Sequence, residues 1–145
     1  MKFLISIING PNLNLLGRRE KIIYGTFSLD EICERLKIEF GKFCDLEFFQ
    51  SNSEGSIIDY VHSSKSDGFV MNLGAYSHTS YAIRDAICAV SRPVVEVHIS
   101  NVLNRENFRH VSIIAPVCIG YVVGFREFGY NLGILALLDH MLNLG

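Results

Sequence analysis

Residues 2–8 read KFLISII, an apolar and β-branched run that stops at Asn9-Gly10-Pro11. A run of this kind is typical of a strand that is buried on both faces of a parallel sheet. A secretory signal would need a longer apolar segment and a cleavage site of small residues, and neither is present in this stretch. We therefore predict that residues 2–8 form a buried first strand.

The rest of the chain alternates short apolar runs with segments of helical periodicity. The further runs lie at residues 46–50, 68–72, 94–99 and 117–123, and the helical segments lie at 29–43, 54–64, 79–90 and 130–144. Strict alternation of this kind predicts right-handed crossovers and a parallel sheet. We expect one domain over residues 1–145 with an α/β fold, a flavodoxin-like doubly wound sheet of five parallel strands in the order 2-1-3-4-5, with helices on both faces.

Two of the helical segments carry further information. Ser28 and Glu31 have the spacing of a capping box at the start of segment 29–43. Segment 130–144 is apolar on most sides, which predicts that it packs against a second subunit as well as its own sheet. Because 49% of the residues are hydrophobic, the chain is also more apolar than one small domain easily buries. We expect a homo-oligomer.

The composition argues against several classes of partner. With 13 Lys+Arg and 15 Asp+Glu the formal charge is -2, so no basic surface for nucleic acid is indicated. The longest apolar stretch, 111–125, is interrupted by polar residues and is shorter than the roughly 20 residues that span a bilayer. Four scattered cysteines, Cys33, Cys44, Cys88 and Cys118, have no metal-ligand spacing and are expected to be reduced. We expect a cytoplasmic protein with a small-molecule ligand and no membrane contact.

Polar residues gather after three of the predicted strands, where ligands bind in doubly wound sheets. The long connection 9–25 follows the first strand, NLGAYSHTS at 72–80 follows the third, and EVHISN at 96–101 ends the fourth. His98 is the strongest candidate, because the strand period of two places Glu96 on the same face, where a carboxylate would fix the imidazole tautomer. His78 considered alone is more often a cap or a surface residue than a ligand-binding group.

Tyr24 is a candidate base only if a cation lies beside it, because a neutral phenol is a weak base. Arg18 and Arg19 are close in sequence, and a guanidinium beside the ring would stabilise a phenolate. Two solvated arginines fit the same spacing equally well, so the spacing leaves both interpretations open.

Other kinds of site fit the sequence poorly. The connection 9–25 lacks a G-x-G-x-x-G fingerprint, and Pro11 removes a backbone N–H that a phosphate loop would need. No G-x-S-x-G elbow is present, and His78 and His98 lack the further carboxylates or thiolates of a zinc or iron site. Asn, His, Arg, Tyr and Ser side chains without cofactor motifs favour a polyhydroxylated carboxylate as ligand and proton transfer as chemistry.

The same motifs resemble those of the type II dehydroquinase family. The resemblance is carried by GPNLNLLGRRE at 10–20, Tyr24-Gly25, NLGAYSHTS at 72–80 and EVHISN at 96–101. It extends through FQSNSEG at 49–55, RDA at 84–86 and RENFRH at 105–110, and so covers nearly the whole chain in order. It implies a hydro-lyase that eliminates water from 3-dehydroquinate in anti geometry, through an enolate, to give 3-dehydroshikimate in the third step of the shikimate pathway.

The resemblance also implies roles for individual residues and an assembly. Tyr24 matches the base that takes the C2 proton, Arg19 the residue that activates it, and His98 the acid that protonates the departing C1 hydroxyl. Asn12 matches the residue that orders a water near the enolate oxygen, and Asp85 matches a substrate contact supplied across a trimer interface. The remaining substrate-binding positions are Asn72, His78, Ile99, Ser100 and Arg109. The family implies no metal or organic cofactor, and a homododecamer built from four trimers.

Some positions depart from the family pattern. Lys21 and Leu73 replace frequent prolines, which predicts a looser connection at 17–26 and a looser loop at 72–80. Arg126 stands in a stretch that is usually richer in glycine, and the sequence does not explain it. The connection 17–26, which carries Arg19 and Tyr24, is expected to close over the site as a lid. The alternatives are a non-catalytic flavodoxin-like module that binds a small anion, and, less well supported, a flavin-binding electron carrier.

Overall fold

The computed structural model describes residues 2–18 and 20–144, and its centre is a five-stranded parallel sheet. The strands are β1 (Phe3–Asn9), β2 (Cys44–Gln50), β3 (Gly68–Asn72), β4 (Val94–His98) and β5 (Gly120–Val123). Their order is β2-β1-β3-β4-β5, and each neighbouring pair is parallel. The predicted α/β fold and strand order are confirmed.

In the part of the chain that the structure describes, six α-helices connect or flank the strands. They are α1 (Lys21–Tyr24), α2 (Leu29–Phe40), α3 (Glu54–Ser63), α4 (Tyr76–Thr79), α5 (Tyr81–Val90) and α6 (Phe128–Asn143). The capping box predicted for α2 is present, since the Ser28 hydroxyl accepts from the Glu31 N–H and the Glu31 carboxylate accepts from the Ser28 N–H. None of the helices that the structure describes is both long enough and apolar enough to cross a membrane.

Several predicted boundaries were wrong by a few residues. Segment 29–43 ends as a helix at Phe40, and β2 begins at Cys44 rather than at residue 46. Segment 79–90 is divided, because Ser80 has an extended backbone and caps α5 through its hydroxyl. Segment 117–123 begins with a short 3-10 turn at Ala115–Val117, so that β5 starts only at Gly120.

The core lies on both faces of the sheet, as the apolar runs predicted. Alternate strand residues point to opposite faces, so Ile7 packs with α2 and α6 whereas Ile8 packs with α3 and α5. In β3, Val70 likewise packs on the face of α2 and α6, and Phe69 packs on the face of α3 and α5. The outer face of α6 leaves Leu135 and other apolar side chains exposed, so its packing against a second subunit stays a prediction.

The loops after β1 and β3 approach each other closely at Gly10. The Gly10 N–H donates to the Asn72 carbonyl at 2.8 Å. A Cβ atom at residue 10 would lie 2.5 Å from the Leu73 carbonyl oxygen, closer than real Cβ contacts. Only glycine fits at this contact, which brings together the carboxyl ends of β1 and β3 at the point where the strand order reverses.

Candidate active site

A pocket lies at the carboxyl ends of β1, β3 and β4, where the topology predicts a ligand. A larger cavity of about 160 Å³ lies between α2 and α6, but none of the predicted site residues lines it. The pocket at the strand ends brings together seven of the predicted residues: Asn12, Tyr24, Asn72, His98, Ile99, Ser100 and Arg109.

A buried acid–base pair forms one wall of this pocket. His98 is 5% exposed and Glu96 is 0% exposed, and His98 Nε2 lies 2.5 Å from Glu96 Oε2. Both residues are in β4, where the period of two places them on one face. Because Glu96 occupies Nε2, Nδ1 is the ring nitrogen left for a ligand. The second carboxylate oxygen, Oε1, accepts a hydrogen bond from the Ser112 hydroxyl at 2.6 Å.

Two aromatic rings hold the imidazole of His98 in place. The His78 ring stacks on it with 5.8 Å between centroids, and the Tyr121 ring meets it edge-on at 5.9 Å. His78 Nδ1 lies 2.8 Å from the Val111 carbonyl and therefore carries the proton that it donates. His78 Nε2 is buried, and among the described residues it has no hydrogen-bond partner. Burial lowers the pKa of His78, which favours the neutral ring.

Among the described residues, Arg105 is a cation that lies beside Tyr24. Its Cζ atom lies 5.1 Å from the centre of the Tyr24 ring, and its guanidinium donates to the Ser100 hydroxyl at 3.2 Å. Arg19, the predicted activating residue, lies outside the described residues. Arg18 lines a different cavity, next to Ser28 and the start of α2. The sequence indicated Arg105 only as part of the RENFRH motif at 105–110, because eighty-one positions separate it from Tyr24.

Asn72 is held by a buried hydrogen-bonded chain that the sequence did not indicate. Its Nδ2 donates to the Tyr130 hydroxyl at 2.9 Å, and that hydroxyl donates to Asn9 Oδ1 at 2.5 Å. Asn72 Oδ1 accepts from the Gly74 N–H at 3.4 Å, so the orientation of the amide is determined. Burial raises the pKa of Tyr130 beyond the usual range of a tyrosine, so its hydroxyl keeps its proton.

Asn12 lines the pocket and has an unusual backbone conformation. Its φ is 70°, in the left-handed region, which asparagine tolerates better than most residues. The Asn12 N–H donates to Asn52 Oδ1 at 3.0 Å, and the Gln50 amide donates to the same oxygen at 3.2 Å. The motif at residues 49–55 thus supports the loop that carries Asn12.

The remaining predicted residues are placed as follows. Arg109 Nε donates to Glu106 Oε1 at 3.2 Å, which orients the guanidinium at the edge of the pocket. His78 and Asp85 do not line the pocket: His78 lies behind His98, and Asp85 is exposed on α5. Within residues 2–18 and 20–144, no group of three or more His, Cys, Asp or Glu side chains is arranged to hold a metal ion.

Known proteins resemble this chain over most of its length. The family model described as "Dehydroquinase class II" matches residues 3–138. A protein of Fusobacterium nucleatum named 3-dehydroquinate dehydratase is 50% identical over 143 residues, which cover 94% of this chain and 97% of the relative. A protein of the same name from an Exiguobacterium species is 51% identical over 140 residues, covering 96% and 97%.

A solved structure shows the same likeness in three dimensions. The crystal structure of a type II dehydroquinase from Butyrivibrio crossotus superposes with a TM-score of 0.91 at 47% identity. The superposition covers 94% of this chain and 97% of that one.

Proposed function

This chain belongs to the class II dehydroquinase family, and we propose that its pocket dehydrates 3-dehydroquinate with Tyr24 as base and His98 as acid. The reaction is that of a hydro-lyase, and a role in the shikimate pathway follows from it. The observation that carries the assignment of roles is the pocket itself. It places a tyrosine beside a guanidinium and a histidine beside a buried carboxylate at one set of strand ends.

Removal of the C2 proton is the task of Tyr24. A C–H next to a ketone is acidic enough for a phenolate to remove its proton, and the electron pair then moves into an enolate. The Arg105 guanidinium places positive charge over the ring where the phenolate forms. Arg19 is proposed to act in the same sense, on the family resemblance alone.

Departure of the C1 hydroxyl is the task of His98. Hydroxide is a poor leaving group, so the C1–O bond breaks as His98 Nδ1 delivers a proton and water is released. The buried Glu96 carboxylate on Nε2 stabilises the imidazolium that must exist before this transfer. Glu96 therefore acts through His98 and does not itself contact the substrate.

The polar residues around this pair are suited to bind a hydroxylated carboxylate. Asn12 is proposed to order a water near the enolate oxygen, and Arg109 to bind the ligand at the pocket edge. His78 does not line the pocket in this structure, so a contact between a ligand hydroxyl and its Nε2, which has no hydrogen-bond partner among the described residues, is proposed on the family resemblance. Asn72, Ile99 and Ser100 complete the proposed substrate contacts.

Assembly and location are also proposals. We expect the chain to act as a single catalytic domain in a cytoplasmic homododecamer of four trimers, with no cofactor. The exposed position of Asp85 on α5 suits a contact to the site of a neighbouring subunit. Light scattering of the purified protein would measure the oligomer size, and a monomer would contradict this part of the proposal.

Ultraviolet absorbance tests the proposed reaction. Mixing the protein with 3-dehydroquinate should produce the conjugated enone of 3-dehydroshikimate at a rate that a chelator does not change. Tyr24→Phe and His98→Ala should each abolish this signal, whereas Tyr24→Phe should still bind substrate in calorimetry. His62→Ala, which removes an exposed histidine of α3, is the matched control and should turn over normally. Binding without turnover by the folded wild-type protein would instead favour the non-catalytic module.

A further inference from the structure

The Ser112 hydroxyl has a single proton and several neighbours, and their distances determine where that proton lies. Its oxygen accepts from the N–H groups of Ile114 at 3.2 Å and Ala115 at 3.0 Å. Two possible acceptors remain, the Glu96 Oε1 atom at 2.6 Å and the Ser77 carbonyl at 3.5 Å. The two N–H groups use the oxygen lone pairs, so the proton points to the closer and charged acceptor, Glu96.

This hydrogen bond completes the environment of a fully buried carboxylate. Glu96 is 0% exposed, its Oε2 atom is occupied by His98, and among the described residues Ser112 is the donor that reaches Oε1. Without this donor, one buried oxygen would have no partner, and burial would favour a protonated Glu96. A protonated Glu96 can donate to His98 Nε2 and no longer stabilises an imidazolium.

Three titratable side chains near Glu96 and His98 do not supply the negative charge that stabilises an imidazolium. Burial lowers the pKa of His78 and raises the pKa values of Tyr121 and Cys118 to about 12, so all three favour their neutral forms near neutral pH. Among the described residues, the other charged side chains that line the pocket are Arg105 and Arg109. Both are cations, so the carboxylate that contacts His98 is that of Glu96.

We propose that Ser112 is a positioning residue of the dehydration: it keeps Glu96 as a carboxylate acceptor and so keeps His98 able to protonate the departing hydroxyl. This inference rests on the proposed function. It assigns Ser112 to the second half of the reaction, after Tyr24 has removed the C2 proton. The competing explanation is structural, because the same hydroxyl also shapes the turn at residues 112–115.

Isotope exchange separates the two halves of the reaction. In D₂O, the protonated base exchanges its proton for a solvent deuteron, and an enolate that takes this deuteron back returns 3-dehydroquinate labelled at C2, whereas an enolate that loses water gives the enone. Absorbance measures the rate at which the enone forms, and mass spectrometry of recovered substrate measures the rate at which the label enters. The rate measured without protein is subtracted from each.

Ser112→Ala should slow elimination about ten- to a hundredfold, the usual effect of removing one hydrogen bond to a charged group, and raise the ratio of exchange to elimination by a similar factor. Ser112→Thr, which keeps the hydroxyl, should restore both. If Ser112→Ala does not fold, Ser112→Cys, with its weaker donor, should give a smaller change in the same direction.

Ser66→Ala is the matched control, because it removes a buried hydroxyl that bonds to Ser6 in β1, outside the pocket. It should lower stability without changing the ratio of exchange to elimination. A Ser112→Ala variant that slows both reactions in proportion, or neither, would overturn the proposed role. If the wild-type protein catalyses neither reaction, the proposed function itself is wrong, and the role of Ser112 with it.

Discussion

The hydroxyl of Tyr130 offers a quantitative test of how the pocket is supported. Tyr130→Phe keeps the ring and removes one oxygen that makes two hydrogen bonds, to Asn9 at 2.5 Å and from Asn72 at 2.9 Å. Asn9 is 1% exposed and Asn72 is 2% exposed, so bulk water reaches neither amide easily. A buried polar group left without its partner costs about 1–3 kcal/mol, and two such groups therefore predict a loss of about 2–6 kcal/mol in the free energy of unfolding.

Urea unfolding at one fixed protein concentration measures this loss. Since Asn72 also lines the pocket, its amide should lose its fixed orientation, and KM for 3-dehydroquinate should rise several-fold. Tyr60→Phe is the matched control: its hydroxyl bonds to Ser6, which keeps a second partner in Ser66, and to the exposed Glu47. The control should lose no more than about 1 kcal/mol. Equal losses in the two variants, with an unchanged KM, would refute the supporting role of Tyr130.

Three further perturbations test other parts of the account. Gly10→Ala forces a Cβ atom to 2.5 Å from a backbone oxygen and should lower stability by about 1–3 kcal/mol or more; a variant that melts like the wild type would contradict this close approach. Arg105→Met keeps bulk and removes the charge over the Tyr24 ring, and should lower kcat/KM about tenfold or more by absorbance; an undiminished rate would remove Arg105 from the mechanism. Burial lowers the pKa of His78 in the folded chain. Below pH ~6.5 the unfolded chain therefore binds a proton that the folded chain does not bind as readily, and the free energy of unfolding decreases as the pH is lowered. His78→Asn should reduce that slope in urea unfolding between pH 5 and 7.5, and an unchanged slope would contradict it.

The sequence predicted the centre of the sheet because β1, β3 and β4 are buried on both faces, whereas the edge strands β2 and β5 are partly exposed. Continuous apolar runs such as residues 68–72 leave little choice of partner or environment, and their alternation with helical segments determines the topology. The pairing of Glu96 with His98 was also predictable, because it follows from the period of a single strand.

What the sequence could not predict are contacts between distant parts of the chain. Tyr130 looks like an ordinary helix residue, and its hydrogen bond to Asn9 joins residues 121 positions apart. Ser112 lies sixteen positions from Glu96 in an irregular segment with no periodicity to place it. The division of segment 79–90 at Ser80 depends on one serine whose extended backbone interrupts an otherwise helical pattern.

A crystal structure of the Tyr24→Phe variant with 3-dehydroquinate tests the central claim most directly, because this variant should bind substrate without converting it. We expect the ligand at the carboxyl ends of β1, β3 and β4, with C2 facing the ring at position 24 and the C1 oxygen within hydrogen-bonding distance of His98 Nδ1, about 2.6–3.2 Å. Ligand density elsewhere, for example in the cavity between α2 and α6, or a C1 oxygen directed away from His98, would contradict it.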